Sequence, residues 1–177
     1  MVRGQSRLKR FDIKREKPVN CRTAVPINNR WDKVIKSKVK EIREKALKNY
    51  SVEIVLDSIS EAGCRITTMK LIYPRFIHAE FMTHRVFSRN ASSSRAIPIQ
   101  KMIENILDNP AIPLFWGSNK AGMQAGEELD DDAIYEAWSQ WDLAKAVAIE
   151  RASALYNKGL HRQHINRILE PFMLIEV

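Results

Sequence analysis

Read for its alternation of apolar and polar positions, the chain divides into an irregular leader, an amphipathic stretch, two β-type runs and a series of helical stretches. Residues 1–30 show no sustained period and contain Pro18 and Pro26, which predicts a flexible arm. Over residues 31–50 apolar side chains recur at Trp31, Ile35, Val39, Ile42 and Leu47, the spacing of an amphipathic helix. Val52 to Leu56 is a β-branched run and predicts a strand. Asp57 to Gly63 reads as a turn, and Cys64 to Tyr73 as a second strand. Pro74 suits the first position of a helix, where its missing N–H costs nothing, and the pattern predicts a helix from there to about Phe87.

Pro98 marks a further helix start, and Gln100 to Leu107 predicts a helix stopped by Asn109-Pro110. Residues 110–128, with Pro113, Gly117, Gly122 and Gly126, read as a long irregular connection, a kind that usually serves a function or a partner. Asp130-Asp131-Asp132 opens the longest helix, with carboxylates at the positive end of its dipole. Its apolar stripe runs through Ile134, Trp138, Trp141, Ala144, Val147, Ala148, Ala152 and Leu155, and Gly159 closes it. Both tryptophans are assigned to the core. Residues 160–171 predict a short helix, and Phe172 to Val177 the start of a strand. No internal repeat is visible.

Composition narrows the class without naming it. Of 177 residues, 45% are hydrophobic and 28% charged, with 6 Gly and 7 Pro, which excludes collagen-like, low-complexity and wholly disordered chains. No apolar run approaches the ~20 residues of a membrane span, and no apolar segment follows the basic start as in a signal peptide. A soluble, non-secreted, cytoplasmic protein is expected. Cys21 and Cys64 are too few for a disulfide framework, and the four histidines lie in no zinc-type spacing, so no metal is expected.

The net charge of +8 is unevenly placed. Residues 1–50 hold 16 basic and 5 acidic side chains, a balance of +11, while the other 127 carry 13 against 16. A basic arm followed by a basic helix could bind nucleic acid by releasing counterions; the same charge could serve solubility, or the segment could dock on the domain.

The candidate chemistry lies in residues 74–95. On a helix from Pro74, Glu80 and His84 would fall on the apolar face with Phe76, Ile77 and Phe81. A carboxylate and an imidazole there must be paired or used; the i, i+4 spacing admits a pair that satisfies itself at the core's edge as well as a reactive one. Arg85 to Arg95 then gathers three guanidiniums, four hydroxyls and one amide into eleven residues. Such donors hold phosphates, although a polar serine-rich loop has the same composition.

Thr83-His84-Arg85, followed by seven residues and Ser93, with Arg95 beyond, resembles the Arg-His-Arg-x7-Ser signature of the flavin-dependent thymidylate synthases. Downstream, Leu160-His161-Arg162-Gln163 and Asn166-Arg167-Ile168-Leu169-Glu170-Pro171-Phe172 resemble the same family's Asn/Ala-Arg-hydrophobic-Leu-x-Pro segment. Together the resemblance spans residues 50–177 and leaves the basic leader outside it. It implies a division into a basic arm and helix (1–50) and a family domain (51–177). The implied fold is α/β, a small antiparallel or mixed sheet packed with long helices, assembled as a homo-oligomer, in the family a homotetramer.

The resemblance further implies FAD bound at subunit interfaces and conversion of dUMP to dTMP, with methylenetetrahydrofolate and NADPH as cosubstrates. Carried over position by position, Thr83, His84 and Arg85 would contact FAD, with Glu80 and Thr83 where flavin and nucleotide meet. Ala91, Ser92, Ser93, Ser94 and Arg95 would form the dUMP loop, and Arg167 would reach the nucleotide from the second segment. Neither Cys21 nor Cys64 lies in the Pro-Cys-His setting of the cysteine-dependent thymidylate synthases, which argues against that mechanism. Thr83 replaces the first Arg of the signature, Ala91 its usual Glu, and Ala96 its usual Tyr. The family's Asn-x-x-x-Phe-Phe-x-x-Arg-type motif, with an Arg that acts on dUMP, would lie beyond Val177. No catalytic residue is therefore assigned, and the C-terminal part of the family fold is expected to be absent. The rival expectation is a non-catalytic nucleic-acid-binding or assembly protein that works through residues 1–50.

Overall fold

A computed structural model describes residues 29–177, so the arm expected over residues 1–30 lies, up to residue 28, outside the described residues. Helix α1 (Asn29–Lys48) follows the amphipathic period, but its buried face is Val39, Ile42 and Ala46. Trp31 and Leu47, expected on that face, are exposed: Ala46 is the residue four positions after Ile42, and Leu47 turns 100° further round. Ile42 and Ala46 pack with Ile112, Trp116 and Trp138, so the basic helix docks on the domain. Its cations are partly answered, Lys38 by Glu41 at 2.9 Å, Lys40 by Glu44 at 3.9 Å and Arg43 by Glu128 at 3.0 Å.

Strands β1 (Ser51–Ile59) and β2 (Arg65–Pro74) form an antiparallel hairpin, with Val52 opposite Leu71, Ile54 opposite Met69 and a register shift between Ile54 and Leu56. β1 therefore continues through Asp57-Ser58-Ile59, which the sequence pattern reads as turn. A cross-strand network explains the extension: Arg65 Nε and Thr67 Oγ1 each donate to Asp57 Oδ1 at 2.9 Å. These bonds, Arg65's foremost, hold the Asp57 carboxyl below the usual carboxylate range. The turn itself shrinks to Ser60–Cys64, with Gly63 at φ +79°, a conformation that favours glycine. Strand β3 (Leu174–Glu176) joins the other edge of β2 antiparallel, Tyr73 opposite Ile175, giving the order β1-β2-β3. The fold of the described residues is thus α/β, with a small antiparallel sheet and five α-helices. Every residue of β1 is exposed, Val52, Ile54, Leu56 and Ile59 included, and so are Ile66 and Met69 of β2.

The core is helical. α3 (Ile99–Asp108) supplies Ile99, Met102 and Ile106; α4 (Asp131–Asn157) supplies Ala148 and Ala152; α5 (Arg162–Leu169) supplies Ile165 and Leu169. Phe172 and Met173 close this cluster. α4 begins as its acidic start predicts, with Asp130 Oδ1 accepting from Ala133 N at 2.9 Å, and ends at Gly159, whose N–H donates to Tyr156 O. Trp138 and Trp141 are structural: Trp141 Nε1 donates to Ala111 O, and its ring meets Phe76, Trp116 and Phe172 edge-on. Ala144 and Val147, expected on the stripe, are exposed. Residues 110–128 are irregular but folded: Gly117 bridges Glu128, and a Cβ at Gly117 would lie 2.5 Å from that of Ala125. Among the described residues no helix is long and apolar enough to cross a membrane.

The helix expected from Pro74 to Phe87 is not continuous. A 3₁₀ turn (Arg75–Ile77) leads into a four-residue α2 (His78–Phe81), after which the chain is irregular to Pro98. The carbonyls that a longer helix would use are taken by side chains. Thr83 Oγ1 donates to Glu80 O at 2.7 Å, and Arg89 donates to the carbonyls of Phe81, Met82 and His84. A helical period in the sequence does not register such competition.

Candidate functional site

The two segments that carry the family resemblance meet at one carboxylate. Ser94, only 5% exposed, donates its hydroxyl to Glu170 Oε1 at 3.0 Å across 76 residues of sequence. Asn166, 1% exposed, donates its amide to the backbone oxygen of the same serine. Glu170 also receives Arg75 at 3.3 Å, both side chains 19% exposed, and the more open Arg167 at 3.2 Å. Glu170 is positioned by the 3₁₀ turn Glu170–Phe172, which follows directly on α5 and carries Pro171 in its first turn. The Oδ1 of Asn166 is buried and accepts no hydrogen bond among the described residues.

A cleft of about 380 Å³ opens beside this junction, lined by Arg75, Phe76, His78, Ala79, Arg167, Glu170 and Pro171. Two guanidiniums face one carboxylate there, which leaves a cationic excess at its mouth. The Nδ1 of His78 lies 2.8 Å from the Tyr73 hydroxyl, and burial, then the Arg75 and Arg89 guanidiniums, hold the imidazole below its usual range. Burial pushes the Tyr73 phenol up, against the pull of the same two arginines.

The sign of the His78 shift fixes a pH dependence. Its folded value lies below the ordinary 6.5, so its contribution to stability is complete above about pH 6.5 and is lost as pH falls below it. His78→Phe is expected to flatten the loss of urea stability between about pH 7.5 and pH 5.5 relative to the parent chain. Parallel losses in the two proteins would contradict the assignment.

The residues expected to bind ligand are placed in three ways. Ser94 and Arg167 are brought together through Glu170. Glu80, Thr83, His84, Arg85, Ser92, Ser93 and Arg95 are exposed, and Ala91 is half-buried. Glu80 and His84, expected on an apolar face, share no hydrogen bond among the described residues; Glu80 uses its backbone oxygen to receive Thr83. Ser92 lines a separate pocket of about 220 Å³ between β3 and α3. A larger groove of about 790 Å³ runs between β2 and residues 87–90, bounded by Met69, Leu71, Phe81, Phe87, Arg89 and Asn90. Phe81 and Phe87, both lining it, stack on each other, 6.0 Å apart and 9° from parallel.

Sequence reasoning gave no role to Arg75, His78, Asn166 or Glu170. For Asn166 and Glu170 a signal existed, since both lie inside the downstream motif. Arg75 and His78 carry none, because only the short turn after β2 aims them at α5. Among the described residues, no group of three His, Cys, Asp or Glu side chains is arranged to hold a metal. Compared with known protein families, curated proteins and solved structures, the chain matches none.

Proposed function

We propose that this chain is a flavin-dependent thymidylate synthase-like protein that binds FAD and dUMP as an assembly of copies, and whose conversion of dUMP to dTMP, with methylenetetrahydrofolate and NADPH as cosubstrates, needs the family's arginine motif, which residues 1–177 do not contain. The observation that carries the reading is the junction of Ser94, Asn166, Arg167 and Glu170. Two segments far apart in sequence, each resembling the same family, meet in space where Ser94, next to the signature's Ser93, bonds to Asn166 and Glu170 of the downstream segment.

The donor set suits both ligands. Arg85 and Arg95, which form no salt bridge among the described residues, and the hydroxyls of Ser92 and Ser93 offer the donors that phosphate and pyrophosphate groups require, with Arg167 shared with Glu170. The groove flanked by Phe81 and Phe87 offers an aromatic wall for a planar ring. Bound FAD would supply the hydride chemistry. The chain's own residues then bind and orient: Arg85 and Arg95 neutralise phosphate, Ser92 and Ser93 donate to its oxygens, and Arg167, braced by Glu170, reaches the nucleotide from the other side.

Assembly is part of the proposal. The exposed apolar hairpin supports it, since Val52, Ile54 and Met69 lie uncovered on one of its faces and Leu56 and Ile66 on the other. The rival nucleic-acid reading gains little from α1, where three cations already face glutamates.

The reading is tested by purification and calorimetry. The expected protein is yellow with retained flavin and takes up dUMP, and Arg95→Ala lowers dUMP affinity about tenfold or more. A colourless protein that releases no heat with either FAD or dUMP would remove the ligand-binding proposal.

A further inference from the structure

One arginine of the polar loop has its donors turned inward. Arg89 Nη1 donates to Phe81 O at 2.9 Å and also to His84 O, while Nη2 donates to Met82 O at 2.9 Å. Its guanidinium lies 5.5 Å from the centre of the Phe81 ring. Those carbonyls belong to the end of α2 and the turn after it; among the described residues a backbone N–H meets only that of Phe81, from His84 at 3.2 Å. Thr83, His84 and Arg85 therefore sit on a stretch of backbone with no regular structure of its own, tied at three oxygens to one planar cation. A lysine, a point charge on a flexible stem, could not span the three.

We infer that Arg89 is a positioning residue: it fixes the 82–85 backbone so that the His84 and Arg85 side chains are presented together to an anionic nucleotide. Composition alone would count Arg89 among the phosphate-binding cations; its hydrogen bonds assign it to the frame that carries them. The identity of the nucleotide, FAD, rests on the proposed function above, whereas the clamp itself does not.

The test compares the parent chain with Arg89→Ala and Arg89→Lys, using FAD as the probe in calorimetry and amide hydrogen exchange as a second readout. Arg89→Ala is expected to bind FAD roughly tenfold or more weakly, with unchanged far-ultraviolet circular dichroism and with exchange accelerated only over residues 82–88. Arg89→Lys keeps the charge but not the fork, and is expected to recover only part of the affinity. Parent-like FAD binding and parent-like exchange in Arg89→Ala would overturn the inference. Should Arg89→Ala unfold outright, Arg89→Lys carries the same comparison. Should the parent itself take up no FAD, the functional reading fails. The exchange pattern then decides the clamp alone: local acceleration upholds it and an unaltered pattern overturns it.

Discussion

Glu170→Ala is expected to destabilise the chain by about 3 kcal/mol, a drop in melting temperature of about 6–12 °C. The carboxylate receives three partners, Arg75, Arg167 and Ser94. Its removal leaves the mostly buried Arg75 guanidinium without its counter-charge and the buried Ser94 hydroxyl without an acceptor, and both losses carry desolvation costs. Arg167 adds little, because it is largely exposed and its ion pair is screened. Glu170→Gln keeps an acceptor for Ser94 but no charge for Arg75, and should fall between the parent and the alanine variant. Urea unfolding of all three proteins checks the order. A Glu170→Ala variant as stable as the parent would mean that the junction is a surface contact and does not hold the two segments together.

The second large effect is expected one residue earlier. Leu169 is fully buried among Ile99, Met102, Ile106, Ala152, Ile165 and Phe172, and it fixes the end of α5 from which Glu170 projects. Leu169→Ala should cost about 3 kcal/mol, within the roughly 2–5 kcal/mol of a buried leucine truncation, because the helices around it cannot close fully over the void. Leu169→Met, which keeps the volume, should cost less than about 1.5 kcal/mol. Leu107→Ala, on the exposed side of α3, should lie within about 0.5 kcal/mol of the parent. Urea midpoints with a constant slope measure these differences. Equal costs for Leu169→Ala and Leu107→Ala would show that the α3–α4–α5 cluster is not the core.

These effects also mark where the sequence was legible. α4 could be read because its signals are local: Asp130 caps a helix through an N–H three residues on, and Gly159 ends it through its own backbone. The hairpin was legible in position but not in length, since the bonds that extend β1 join Asp57 to residues eight and ten positions away. On α1 the period was visible, but alanine hid the true stripe: Ala46 is buried while the more hydrophobic Leu47 faces outward. The segment from Pro74 was misread because Arg89 withdraws carbonyls from the helix that the pattern predicts, a competition between a distant side chain and the backbone.

At the candidate site, the motif residues were legible as types but not as roles. A serine-rich loop gives no hint that Ser94 turns inward to Glu170 while Ser92 and Ser93 stay outside. Likewise, the Leu-Glu-Pro tripeptide does not announce that its glutamate joins α5 to the turn after β2; only the tertiary structure places Arg75 there. What the sequence did carry was the pairing of two remote segments, and the structure brings those segments into contact.

That the segments joined by this contact bind a nucleotide is the central claim, and amide hydrogen exchange with and without dUMP tests it most directly. If the junction of Ser94, Asn166, Arg167 and Glu170 carries a nucleotide, saturating dUMP will slow exchange in two separate stretches, residues 83–95 and residues 162–170, and will leave α1 at its unliganded rate. Protection confined to α1, or no protection anywhere, would contradict it.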